Sequence, residues 1–196
     1  MIETLALVAL AGLQAASGSW LDKPLANWNV PGAALPKAPA TSATGGNDGH
    51  ESPAQLAKRC DLTVDRSTPE ARAIADAGWV PYLHFDQKLQ QGDVTILDGM
   101  AGADGMCRPM DFHVFVFVGG RFAGTLSPTP MSSRLDGTAS VVRLPQPTAI
   151  TGEFQRYTST DALCCPSSRV AVTYTIDRTG KAPVVTPTGI RATRQF

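Results

Sequence analysis

Residues 111–118 (DFHVFVFV) carry the strongest periodic pattern in the chain. Successive side chains of an extended segment alternate sides, so Phe112, Val114, Val116 and Val118 fall on one face and His113, Phe115 and Phe117 on the other. Both faces are apolar, which predicts a central strand covered on both sides. Gly119-Gly120 is a two-residue hairpin signal, and residues 121–126 return antiparallel until Pro128 and Pro130 end them. Residues 169–176 alternate as well, with Val170, Val172, Tyr174 and Ile176 inward and Arg169, Ala171, Thr173 and Thr175 outward. Further strands are expected at 79–85, 94–97, 138–144 (after the Asp136-Gly137 turn) and 149–157. An edge strand is expected at Val184-Val185, where Pro183 and Pro187 suit an edge.

Helical signals are few. Ser52-Pro53-Ala54-Gln55 combines an N-cap serine, proline at the first helical position and a glutamine that can bond back; Leu56 and Cys60 then share a face. Ser67-Thr68-Pro69-Glu70 repeats the signature, with a helix over 71–77, Ile74 in its small apolar face and Gly78 as the stop. No helical crossover separates the strands. The expected fold is therefore α+β: a mainly antiparallel β-sheet with one or two short helices, tied by disulfides, over residues 52–196.

The N-terminal portion reads differently. Residues 5–13 (LALVALAGL) form an apolar run of signal-core length, too short to span a bilayer, and Ala15, Ala16, Ser17 and Gly18 follow as a cleavage region. No Lys or Arg precedes the run, and a core helix or strand is the competing reading. Residues 1–18 are taken as a signal segment. Residues 19–35 contain Trp20, Leu21, Leu25 and Trp28; they pack on their own domain or dock on a partner, and the β domain is expected to fold without them. Residues 36–51, rich in Pro, Ala, Thr and Gly, read as a flexible linker with His50 solvated.

With 196 residues the chain suits one core, and its charged fraction is low at 17%. Lys+Arg and Asp+Glu both number 17, giving zero formal net charge, so no basic field attracts nucleic acid or anionic lipid. No later segment has the length and apolarity of a transmembrane helix.

The four cysteines are Cys60, Cys107, Cys164 and Cys165. An even number in a turn-rich exported chain favours a disulfide framework. Adjacent side chains of an extended segment point apart, so Cys164 and Cys165 can reach two partners; the economical reading pairs one with Cys60 and the other with Cys107, each bridge worth about 4 kcal/mol in the chain-entropy model. A vicinal Cys164–Cys165 bond or a redox role is the alternative. Metal ligation is disfavoured, because the spacing of paired zinc ligands is absent. His113 reads as a hydrogen-bonded core histidine and His84 as exposed or half-buried. Residues 99–105 (GMAGADG) read as a mobile turn without phosphate-loop spacing. No nucleophile elbow, metalloprotease helix or dinucleotide fingerprint occurs, so no catalytic residue, metal or cofactor is assigned. Trp20, Trp28, Trp79, Tyr82 and Phe122 are the candidate binding residues, the last three as the rim of an apolar pocket.

The stretch Arg156-Tyr157-Thr158-Ser159-Thr160-Asp161-Ala162-Leu163-Cys164-Cys165-Pro166-Ser167, followed by Val170-Ala171-Val172-Thr173-Tyr174, resembles the C-terminal signature of the LppP/LprE lipoprotein family. The hairpin at 114–125 (VFVFVGGRFAGT) resembles that family's strand, turn and Arg-aromatic-x-Gly-Thr element. The resemblance covers residues 60 to 185 in round terms. It implies an envelope lipoprotein of the kind found in mycobacteria and their relatives, and it supplies no catalytic residue. Family members carry a lipobox cysteine just after the signal, whereas the first cysteine here is Cys60. The expectation is thus a periplasmic or extracellular form without a lipid anchor: a non-enzymatic module that binds an envelope protein, glycan or lipid. The alternative is a thiol–disulfide or other small enzyme using Cys164 and Cys165.

Overall fold

A computed structural model describes residues 18–39, 51–82 and 89–193. The signal run, most of the linker with His50, and His84 lie outside these residues. Two short helices, α1 (Pro53–Arg59) and α2 (Pro69–Asp76), precede the strands β1 (Val80–Tyr82), β2 (Leu89–Gln91), β3 (Val94–Ala103), β4 (Pro109–Val118), β5 (Arg121–Thr125), β6 (Ala139–Gln146), β7 (Ala149–Arg156), β8 (Ser168–Asp177) and β9 (Val184–Thr193). One sheet has the order β1-β3-β4-β5, with β2 also on β3; the other runs β6-β7-β8-β9, and every pairing is antiparallel.

β4 is central, as its two apolar faces require. Phe112, Val114 and Val116 are buried with Ile150, Phe154, Val172, Tyr174 and Ile176 of the second sheet. On the opposite face Phe115 and Phe117 meet Ile74 of α2 and Trp79 in a smaller core. The β4–β5 turn places Gly119 and Gly120 at φ 55° and 76°, the left-handed region that a two-residue hairpin turn of this hand demands. Both helix starts form as the sequence implies: the Ser52 hydroxyl accepts from the Gln55 amide while the Gln55 side chain accepts from the Ser52 amide, and Thr68 caps α2.

Three expectations are corrected. Residues 99–103 are not a mobile turn; they continue β3. Glycine is needed at position 99 because a Cβ there would lie 2.9 Å from both Ile74 Cγ2 and Trp79 Cβ, so the residue marks close helix–sheet packing. The last strand is ten residues long rather than two, pairing along β8, with the register shift at Thr173/Tyr174 leaving Thr188 as the extra residue beside Pro187. The start of the linker is folded: Pro36 accepts a 2.7 Å hydrogen bond from the Trp79 indole, and Leu35 and Ala38 join the smaller core.

Residues 19–35 pack on their own β domain, the first of the two readings their sequence allows. Trp20 sits edge-on to Phe154 at 5.1 Å and to Trp28 at 5.4 Å, and Trp28 faces Tyr174 at 6.4 Å. Their indole N–H groups donate to the carbonyls of Gly137 and Thr125. Asn29 Nδ2 donates to the carbonyls of Thr125 and Val185, each at 3.0 Å, and its Oδ1 accepts from the Thr125 amide at 2.9 Å. Thr125 belongs to β5 and Val185 to β9, so one side chain joins the edges of the two sheets.

Candidate functional site

Three connections gather at one end of the sandwich. The β5–β6 connection (126–138) is bound to the start of β4 by the Ser133 amide on the Pro109 carbonyl, the Asp111 amide on the Ser132 hydroxyl and the Phe112–Met131 bridge. The same connection holds the end of β7, where Asp136 Oδ1 accepts from the Tyr157 amide at 2.7 Å and from Arg156 Nε at 3.0 Å. The β3–β4 turn and the β7–β8 loop thus flank it.

Each of the three presents an uncovered apolar side chain: Met106 in the β3–β4 turn, Leu135 in the β5–β6 connection and Leu163 in the β7–β8 loop are 74%, 50% and 63% exposed. Isolated exposed apolar residues need no explanation, but three on neighbouring loop tips mark a surface suited to contact. The charges at the β3–β4 turn are spent on one another or on the backbone. Asp104 caps its own turn, accepting from the amides of Met106 and Arg108 and from the Arg108 guanidinium. Arg59 pairs with Glu51 and also donates to the carbonyls of Ala103 and Asp104, each at 3.1 Å.

The β7–β8 loop is a braced structure. Asp161 Oδ2 accepts from the amides of Thr158 and Ser167 at 2.8 and 2.9 Å, pinning both stems; these donors hold its carboxyl down at about 2. Tyr157 Oη donates to the Leu163 carbonyl at 3.1 Å, and the Cys165 amide closes a tight turn on the Ala162 carbonyl at 2.8 Å. At the tip, Cys164 is bonded to Cys165 and both are exposed.

The expected cysteine pairing is therefore corrected. Cys60 joins Cys107, with 5.5 Å between Cα atoms, and Cys164 joins Cys165. The reasoning from alternation fails because residues 162–165 form a turn rather than an extended segment, so neighbouring side chains can converge. Cys60, at the C-cap of α1, lies against the β3–β4 turn that carries Cys107. This bond, spanning a separation of 47, fastens α1 to the loop end and is worth about 4 kcal/mol on loop-closure entropy.

The aromatic candidates do not converge on one rim. Trp20 and Trp28 are committed to the inter-sheet core. Trp79 is buried beside His113 and Phe115, at 5.4 and 5.5 Å, and the half-buried Phe122 packs on Phe115 and Phe117 in that same smaller core. Tyr82 belongs to the other core, edge-on to Phe112 at 6.1 Å; burial pushes its phenol well above the ordinary range, helped by the Asp98 carboxylate. His113 is the core histidine its strand implied. Ser127 spends its one proton on the Thr129 carbonyl at 2.8 Å, so its oxygen accepts from His113 Nδ1–H at 3.2 Å. Burial lowers this imidazole to about 4, leaving it neutral.

Asn29, Arg59 and Asp161 were not singled out by the sequence reading. For Asp161 a signal existed, since Thr-Ser-Thr-Asp ahead of a turn is a side chain–backbone capping composition. For Asn29 there was none, because its partners lie 96 and 156 residues away.

Among the described residues no cluster of three or more His, Cys, Asp or Glu side chains could hold a metal ion, and no helix is long and apolar enough to cross a membrane. Fold and site together define a disulfide-tied antiparallel β module with an apolar loop end. Residues 89–179, from β2 through the end of β8, match the model of the LppP/LprE lipoprotein family. No match is found among curated proteins or solved structures.

Proposed function

We propose that this chain is a non-enzymatic module of the cell envelope, periplasmic or extracellular, that holds a protein, glycan or lipid partner at its loop end. The observation that carries the reading is the placement of Met106, Leu135 and Leu163, uncovered, on three adjoining connections braced by Asp104, Asp136 and Asp161. A surface preorganised by hydrogen bonds loses little conformational freedom on binding. All four cysteine sulfurs of this sequence are paired, which supports a form not acylated on any of them.

The test is photo-crosslinking in intact cells, with the photoreactive residue placed at Leu163, at Leu135 or at Thr173 on the outer face of β8. Adducts of one discrete mass at positions 163 and 135, absent at 173, are expected. Their chemistry would say which partner class is held. Equal labelling at all three positions, labelling at 173 alone, or no adduct at 163 and 135 would overturn the reading.

A further inference from the structure

The two disulfides differ in what they can do for the fold. A bridge stabilises by shortening the free chain between its ends. Cys60–Cys107 has a separation of 47; Cys164–Cys165 has a separation of 1 and shortens nothing. Neighbouring residues hold their Cα atoms 3.8 Å apart, below the roughly 4.4–6.8 Å of ordinary disulfides, and bridges outside that range open more readily. Both residues of the vicinal pair are exposed, so an incoming thiolate can reach either sulfur, whereas Cys60 and Cys107 are half-buried with the Arg59 guanidinium 3.8 Å from Cys107 Sγ. The vicinal loop also keeps its shape by other means: Asp161 pins residues 158 and 167, Tyr157 holds the Leu163 carbonyl, and the Cys165 amide holds Ala162.

We propose that Cys164–Cys165 is a thiol-exchange site, cycled between disulfide and dithiol by a protein dithiol of the envelope while Cys60–Cys107 stays closed. A thiolate of the reductant attacks one sulfur of the pair. The Cys164–Cys165 bond breaks, a mixed disulfide forms, and the other cysteine leaves as a thiolate that takes a proton from water. The reductant's second thiolate then attacks its own sulfur in the mixed disulfide and releases the remaining cysteine. Two electrons pass to the chain, and the reductant departs as an internal disulfide; a partner already carrying a disulfide runs the sequence backwards. The site is independent of whether the loop end holds a partner.

The experiment uses the full chain titrated with dithiothreitol, followed by acid quenching, alkylation and peptide mapping, with circular dichroism read at each point. Cys164 and Cys165 are expected to be half-reduced at a dithiothreitol concentration at least tenfold below that for Cys60 and Cys107, with the folded spectrum unchanged. The double variant Cys164→Ser/Cys165→Ser is expected to melt within about 2 °C of the parent, while Cys60→Ser/Cys107→Ser melts well below it. Simultaneous opening of the two pairs, loss of the folded spectrum on opening the vicinal pair, or a Cys164→Ser/Cys165→Ser variant that melts low or fails to fold would each overturn the proposal.

Discussion

Replacing Asn29 by alanine removes the three hydrogen bonds that tie β5 to β9. The Thr125 carbonyl keeps a donor, the Trp28 indole, but the Thr125 amide and the Val185 carbonyl lose their side-chain partner. At about 1 kcal/mol net for each hydrogen bond, discounted because the site is half-buried, Asn29→Ala is expected to cost about 2–3 kcal/mol. For a domain of this size that corresponds to a fall of roughly 5–10 °C in melting temperature. Asn29→Asp sharpens the test. It retains an acceptor for the Thr125 amide but turns a carboxylate oxygen toward two carbonyls, so at pH 7 it is expected to cost at least as much as alanine. Its carboxyl is then raised above the unfolded value, and the deficit relative to the parent shrinks as pH falls and protonation restores one donor. Urea unfolding gives the energies, and hydrogen exchange at the Thr125 amide reports the local seam. An Asn29→Ala loss under about 0.5 kcal/mol, with exchange at Thr125 unchanged, would refute the idea that this side chain closes the sandwich.

Between pH 6.5 and about 4 the unfolded chain protonates His113 and the folded chain does not, so stability should fall as pH is lowered through that window, by about 3 kcal/mol in total; His113→Gln should flatten that slope, and an unchanged slope in urea unfolding across pH would count against a buried neutral imidazole. Gly99→Ala drives a methyl group into Ile74 and Trp79 and should cost about 1–3 kcal/mol by overpacking; an unmoved urea midpoint would show that α2 can step back. A chain cut to residues 89–179 should lack a cooperative thermal transition and near-ultraviolet ellipticity, and a sharp two-state melt would show that the matched span is self-sufficient.

The parts of the fold governed by local rules were legible in the sequence. The double apolar face of residues 112–118, the Gly119-Gly120 turn and the two proline-started, hydroxyl-capped helices each follow from periodicity or capping, and each is found. Failures came where a residue answers to something distant. Gly99 looks like a turn residue until α2 and Trp79 are laid over β3, since only then does the missing side chain have a reason. The tryptophans at 20 and 28 carry no register, so nothing local distinguishes a docking peptide from a core plug. Alternation does not predict the cysteine pairing, because the chain turns at 162–165. The loop end was illegible as a surface. Met106, Leu135 and Leu163 are far apart in sequence, and the connections that carry them are joined only through the hydrogen bonds of the β5–β6 connection.

The family match and the folded unit do not coincide. Residues 89–179 include β3, β4 and β5 but neither Ile74 nor Trp79, so one face of the central strand, with Phe115 and Phe117, would meet water. They include β8 but not β9, so the edge that β9 pairs along, from Asp177 to Arg169, would be unmatched. They lack Asn29, the link that holds β5 against β9, and the tryptophans that cover Phe154 and Tyr174. They include Cys107 without Cys60, which would leave the structural bond open and a thiol exposed near the loop end. The vicinal pair is the reverse case: both its cysteines and its Asp161 brace lie inside the match, with every partner that shapes it. The matched span thus contains a complete β7–β8 loop on an incomplete scaffold. The N-terminal segment, the helices and β9 act on that loop only by holding the sheets beneath it, which is why substitutions in them should change stability before they change what the loop does.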